Sequence, residues 1–160
     1  MNAEIDSDLL SRALGLDIEF TGIEHEVGAF FLDLIGAEAR TGDLVIVENQ
    51  LGTSDHSHLG QLLTYAGGTS ADTVVWIASA FREEHMAAVK WLNERTDEQT
   101  RFFAVEISAV RIGDSKPAPL FRVLEQPNDW SKVVRAAASS EVAGGKGSLY
   151  MEFWAQFLGD

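Results

Sequence analysis

The sequence contains no cysteine, which removes disulfide scaffolds, thiolate zinc sites, iron–sulfur clusters and cysteine nucleophiles at one stroke. It has no apolar run approaching the ~18 residues that would read as a membrane span. Its opening, MNAEIDSDLL, lacks the basic flank and apolar stretch of a secretory signal. A cytoplasmic protein with no membrane partner is expected. Cations are scarce: 12 Lys and Arg stand against 25 Asp and Glu, giving a formal charge of −13 and a pI near 4.6. Nucleic acids are held by neutralising their phosphates, so this balance excludes a general nucleic-acid coat and confines any such contact to a local strip.

What remains has the composition of one compact domain. The 160 residues are 46% hydrophobic and 23% charged, with a mean hydropathy of −0.02. A chain of this size hides ~70% of the surface its unfolded form exposes and needs no staples. A short helix is expected at about Asp6 to Leu14, stopped by Gly15. Alternating segments at Ile18–Glu24, Phe30–Ala37 and Leu44–Gln50, separated by Gly28 and by Arg40-Thr41-Gly42, carry strand and hairpin signals. Thr53-Ser54-Asp55 offers N-cap side chains before LGQLLTYA, a helix ended by Gly67-Gly68. TVVWIASA reads as a strand covered on both faces, Arg82 to Glu94 as a helix, and RFFAVEISAVRI and LFRVLE as strands joined through Pro117 and Pro119.

Helix, three strands, helix, strand, helix, strand, strand predicts an α/β fold, a mixed sheet flanked by helices. Trp76, Trp91, Phe102 and Phe103 fit its core. His85 shares its helix with Glu84 and Lys90 on a face that reads as solvated. From Ala136 the small residues AAASSEVAGGKGS read as a linker over 136–147. The main domain would then be 1–135, and LYMEFWAQFL would form a C-terminal helical fragment over 148–160.

The hairpin FFLDLIGAEARTGDLVIVENQ carries the first chemical signal. With its turn centred between Arg40 and Thr41, Asp33 falls directly opposite Glu48, and like charges so placed repel. In an otherwise apolar hairpin such a pair wants a shared proton or a cation, and two carboxylates plus waters is how Mg²⁺ is usually held. A register one residue different would put the two acids on opposite faces. Gln50 lies two residues past Glu48 on the same face, and a polar ENQ closing a run as apolar as LVIV is hard to explain as packing. On the following helix, His58, Gln61 and Tyr65 fall within about 60° of one another, a polar stripe beside Leu59, Leu62, Leu63 and Ala66. The alternative is a partly solvated helix edge with Tyr65 at its boundary. His56 and His58, two residues apart, do not share a helix face and make no zinc pair.

Asp33…Glu48-Asn49-Gln50 followed by Gln61-x-x-x-Tyr65 resembles the PD-(D/E)xK nuclease superfamily, particularly its RecB-like branch. The run VIVENQLGTSDHSHLGQLLTYAGG is similar to a group of bacterial restriction-endonuclease-like proteins. The similarity continues through VVWIA, FREEH, WLNERT, FFAVEI, RIGDS and PNDW, over roughly residues 15–130. In longer relatives a further domain follows, and LYMEFW resembles its onset. The resemblance implies a restriction-endonuclease-like mixed sheet and a catalytic set of Asp33, Glu48 and Gln50. Mg²⁺ or Mn²⁺ would be held by Asp33, Glu48 and the main-chain carbonyl of Asn49, with Glu24 as a further acid. His58, Gln61 and Tyr65 would face the substrate.

At Gln50 the superfamily usually has lysine, a fixed cation that assists the attacking water; glutamine only orients that water by hydrogen bonds. The implied activity is a Mg²⁺-dependent DNA phosphodiesterase, endonuclease-like, with DNA as partner and a homodimer left open. Its rival is a non-catalytic nuclease-fold module that binds nucleic acid or a protein through the same cleft, and a third reading is a protein-interaction domain awaiting a C-terminal partner. The Asp33–Glu48 pair favours the enzyme; Gln50 and the charge of −13 favour the module.

Overall fold

The structure, a computed structural model, describes residues 7–143. Its elements run α1 (Ser7–Leu14), β1 (Ile18–Val27), β2 (Phe30–Glu38), β3 (Leu44–Thr53), α2 (His56–Thr69), β4 (Thr73–Ala80), α3 (Glu83–Arg95), β5 (Arg101–Val110), β6 (Ala118–Glu125) and α4 (Asp129–Ala143). The strands form one sheet in the order β1-β2-β3-β4-β5-β6. β1, β2 and β3 pair antiparallel, β3, β4 and β5 pair parallel, and β6 returns antiparallel to β5. Parallel neighbours need a crossover, and α2 and α3 supply the two that this sheet requires. The element order through β6 is the one expected from the sequence.

Alternation along the strands sorts side chains into two layers. Val45, Val47, Val75, Ile77, Phe103 and Val105 pack with Leu10 and Leu14 of α1 on one face. Ile46, Val74, Trp76, Phe102 and Ala104 pack with Leu62 and Tyr65 of α2 and Val89 of α3 on the other. Each apolar side chain of leucine size buried this way contributes ~1.5–3 kcal/mol, so the sheet is held from both sides. Glu48 and Gln50 continue the Ile46 row, which places them under α2. Trp91, expected in this core, is instead 57% exposed. The buried side of α3 is His85, Val89 and Asn93, an i, i+4, i+8 stripe that turns Trp91 away.

The β2–β3 turn fixes the register on which the site depends. Thr41 N–H and Arg40 Nε donate to the Glu38 carboxylate at 2.8 and 3.0 Å, and Glu38 N–H donates to the Asp43 carbonyl at 2.9 Å. Burial opposes ionisation of Glu38, but the hydrogen bonds from Thr41 and Arg40 outweigh it and hold the carboxyl down at about 2. The ladder beyond it pairs Ala37 with Leu44 through to Leu34 with Val47.

Helix α2 does not stop at Gly67-Gly68. It runs to Thr69 and ends at Ser70, whose left-handed backbone lets its N–H reach the Ala66 carbonyl. Gly68 serves approach rather than termination, since a Cβ there would lie 2.9 Å from Val27 Cγ1 of β1.

The chain divides into two compact units, Met1–Pro127 and Asn128–Asp160. In the second, Asn128 Oδ1 accepts from Ser131 N–H at 3.0 Å, an N-cap for α4. Residues 136–143, expected to begin a linker, are helical, because an alanine run is a strong helix former as well as a small-residue one. The expected helical fragment over 148–160 lies outside the described residues. No helix among the described residues is long and apolar enough to cross a membrane.

Candidate active site

One step past the last β2–β3 ladder pair, the register sets Asp33 against Glu48. Backbone pairing gives way there to reciprocal side-chain bonds. Asp33 Oδ2 accepts from Asn49 N–H at 2.7 Å, and the Asp33 N–H donates to the Glu48 carboxyl. Leu32 and Leu34 pack on opposite faces of the sheet, whereas residues two apart in a regular strand share a face. β2 therefore turns over at Asp33, which carries the aspartate to the end of the ladder beside Glu48.

Glu48 is buried and its Oε2 has no hydrogen-bond partner. Burial, and after it the negative charge of Asp33, push its carboxyl up to about 8, against the opposing N–H of Asp33. An unpartnered buried carboxylate oxygen next to a second carboxylate suits a small hard cation, which prefers oxygen ligands and keeps several waters. Among the described residues no group of three or more His, Asp or Glu side chains is gathered closely enough to share a metal. Glu24 is thus not collected with the pair. It is exposed, with a left-handed backbone (φ 51°) just past the β1 irregularity between Phe20 and Gly22. Asn49 meets Asp33 through its N–H.

Gln50 is buried and its amide is spent on the protein itself. Nε2 donates to the Thr53 carbonyl at 2.7 Å and to Asp55 Oδ2 at 2.8 Å, while Oε1 accepts from Trp76 Nε1 at 3.2 Å. Indole N–H only donates and a carbonyl only accepts, so the amide orientation is fixed by its partners. Both amide hydrogens are used. The expectation that Gln50 orients an attacking water is corrected on this point: the side chain ties the end of β3 to the head of α2 and to β4.

On α2 the expected stripe divides. Tyr65 is only 3% exposed and packs among Leu32, Ile46, Leu62 and Trp76, so its ring belongs to the core rather than to a substrate-facing surface. Its hydroxyl pKa is raised by burial and then by the charges of Glu48 and Asp33, which places it behind the carboxylate pair. An aromatic side chain leans back toward the helix N-terminus, and here that lean brings an apolar ring under α2 and its polar tip toward the acids. Gln61 is half-buried. His58 is half-buried at the first turn, where its N–H and Nδ1 both bond Asp55 Oδ1, at 2.8 and 2.9 Å.

A second polar chain was not foreseen. Ser54, fully buried, bonds His85 Nδ1 at 2.7 Å, and His85 Nε2 bonds His56 Nδ1 at 2.7 Å. Arg82 N–H donates to the same Ser54 oxygen at 2.9 Å. The Ser54 hydroxyl hydrogen is then free for His85 Nδ1, which makes His85 Nε2 the donor to His56. His85, expected on a solvated face, is 1% exposed. The signal was present in the i, i+4, i+8 spacing of His85, Val89 and Asn93, which Met86, Val89 and Leu92 obscured.

A mixed six-stranded sheet with helices on both faces, interrupted beside a pair of carboxylates, is the restriction-endonuclease-like α/β fold. Among solved structures, the chain is similar to that of an EndoMS–dsDNA2 complex, with a TM-score of 0.51 and 14% identity over 65% of this chain and 42% of that one. It is also similar to a repair endonuclease from Pyrococcus abyssi, with a TM-score of 0.44 and 15% identity over 59% of this chain and 46% of that one. The chain thus spans less than half the length of either, and at these identities the likeness is one of fold. No family model and no curated protein sequence matches it.

Proposed function

We propose that this protein is a divalent-cation-dependent phosphodiesterase acting on DNA, with Asp33 and Glu48 as its metal-holding acids. The observation that carries the reading is the buried, unpartnered Oε2 of Glu48 beside Asp33. Asp33 and Glu48 would hold Mg²⁺ or Mn²⁺, with the Asn49 carbonyl available from the same strand. When bound, such an ion lowers the pKa of water and stabilises charge on the phosphoryl oxygens. The protein's own contribution is positional. The Glu38 turn sets the register, the Asp33–Asn49 bond holds the aspartate at the sheet end, and Tyr65 closes the apolar side behind the acids. Gln61 would contact the substrate strand from α2.

A second reading, a nuclease-fold module that binds DNA without cutting it, is favoured by Gln50. Its amide is fully used within the protein, so the position that carries a catalytic lysine in the resembled superfamily does structural duty here. Labelled-duplex cleavage with Mn²⁺ separates the two. The phosphodiesterase reading expects wild-type cleavage that falls at least ~100-fold in Asp33→Asn and in Glu48→Gln. Wild-type protein that retains DNA without cleaving it would establish the module instead.

A further inference from the structure

The head of α2 holds a charge relay that capping alone does not require. Asp55 Oδ1 accepts from the His58 N–H at 2.8 Å, and this single bond caps the helix. The same oxygen also accepts from His58 Nδ1 at 2.9 Å, while Oδ2 is taken by Gln50 Nε2 at 2.8 Å. The hydrogen bonds from His58 and Gln50 hold Asp55 ionised. An ionised carboxylate only accepts, so His58 Nδ1 carries the hydrogen and, in the neutral ring, Nε2 is left as an acceptor.

His58 is placed to use it. Its side chain is 30% exposed, so it is open to a ligand yet held by its partner. Around the helix it lies ~20° from Tyr65, whose hydroxyl feels the charges of Glu48 and Asp33, so His58 is on the carboxylate side of α2. The other imidazoles at this end, His56 and His85, are bonded to each other and are not part of this relay. Gln50, on the strand that carries Glu48, is the link that fixes Asp55 and through it the ring.

We propose that His58 is the general base of the phosphodiesterase reaction, a catalytic residue, with Asp55 and Gln50 as the positioning residues that orient it. The inference rests on the phosphodiesterase reading. In the step, Nε2 takes a proton from the attacking water as that O–H electron pair becomes available to form the new O–P bond. The P–O bond to the departing ester oxygen breaks, and that oxygen keeps the electron pair and takes a proton from solvent. His58 then returns its proton to solvent. The glutamine that replaces lysine is, on this account, the first link of a different base.

The test is Mn²⁺-dependent cleavage of a labelled duplex by wild type, His58→Ala and His58→Gln, with and without added imidazole. His58→Ala should keep the helix cap, because the backbone N–H remains, and should keep its Mn²⁺ affinity and its KM for DNA. Its kcat should fall by roughly 100-fold or more, and imidazole should restore part of it. His58→Gln, which preserves the side-chain bulk, should lose kcat equally and serves if the alanine variant fails to fold. An unchanged kcat, a rise in KM alone, or a loss that imidazole does not restore overturns the assignment while leaving the phosphodiesterase in place. A wild type that does not cleave overturns the phosphodiesterase reading itself, and the base with it.

Discussion

At Glu48 the competition is between burial and charge. A carboxyl pushed from its ordinary 4.5 to about 8 holds its proton in the folded state at pH values where the unfolded chain has released it. The stabilisation is therefore complete below 4.5 and is lost as pH rises through about 8. In metal-free buffer the unfolding free energy should fall by on the order of 3–5 kcal/mol across that window, and Glu48→Gln should flatten the profile; a wild-type profile already flat would contradict the burial described. Glu38 acts in the opposite sense, since its pKa of about 2 gives stabilisation that is lost only as pH falls below 4.5, so the two do not overlap. Gln50 presents a different single-residue test. Gln50→Lys offers no acceptor to Trp76 Nε1, and an unpaired buried N–H costs ~1–3 kcal/mol. Chemical denaturation should show that loss, with no gain in cleavage. A faster Gln50→Lys enzyme would mean that the amide is not committed as the bonds indicate.

Among the elements, the β2–β3 hairpin was the most legible and α2 the least. The apolar alternation and the Arg40-Thr41-Gly42 turn together dictate one register, and that register alone brings Asp33 to Glu48. The extent of α2 was hidden because glycine usually marks a helix end, whereas Gly68 is used to let Val27 of β1 close on the helix. Tyr65 was misplaced because angular position on a helix does not reveal how deep an amphipathic side chain sits. The bonds of Gln50 were out of reach for a similar reason: they depend on Trp76, distant in sequence and supplied by a parallel neighbour of β3. The Ser54–His85–His56 chain links the segment before α2 to the first turn of α3. Ser54→Ala leaves both the Arg82 N–H and His85 Nδ1 without a partner, so it should destabilise by ~1–3 kcal/mol, while Ser54→Thr, which keeps the hydroxyl, should lose less. Equal melting of all three proteins would show that the chain contributes nothing.

For the whole molecule, a charge of −13 sets the conditions under which a DNA substrate is approached. With few cations to displace counterions, binding should depend weakly on monovalent salt and strongly on the divalent ion, which screens the acids and bridges them to phosphate. The fold leaves that ion one place among the elements described, between a carboxylate at the end of the β2–β3 ladder and a protonated one beneath α2. A cation entering there must displace the Glu48 proton, which links occupancy to proton release. Calorimetric titration with Mn²⁺ at neutral pH, repeated in buffers of different ionisation enthalpy, tests this most directly. The account predicts one ion bound per chain with release of close to one proton, and loss of that release, with at least ~10-fold weaker binding, in Glu48→Gln. Binding with no proton released, or binding unchanged in Glu48→Gln and Asp33→Asn alike, would contradict it.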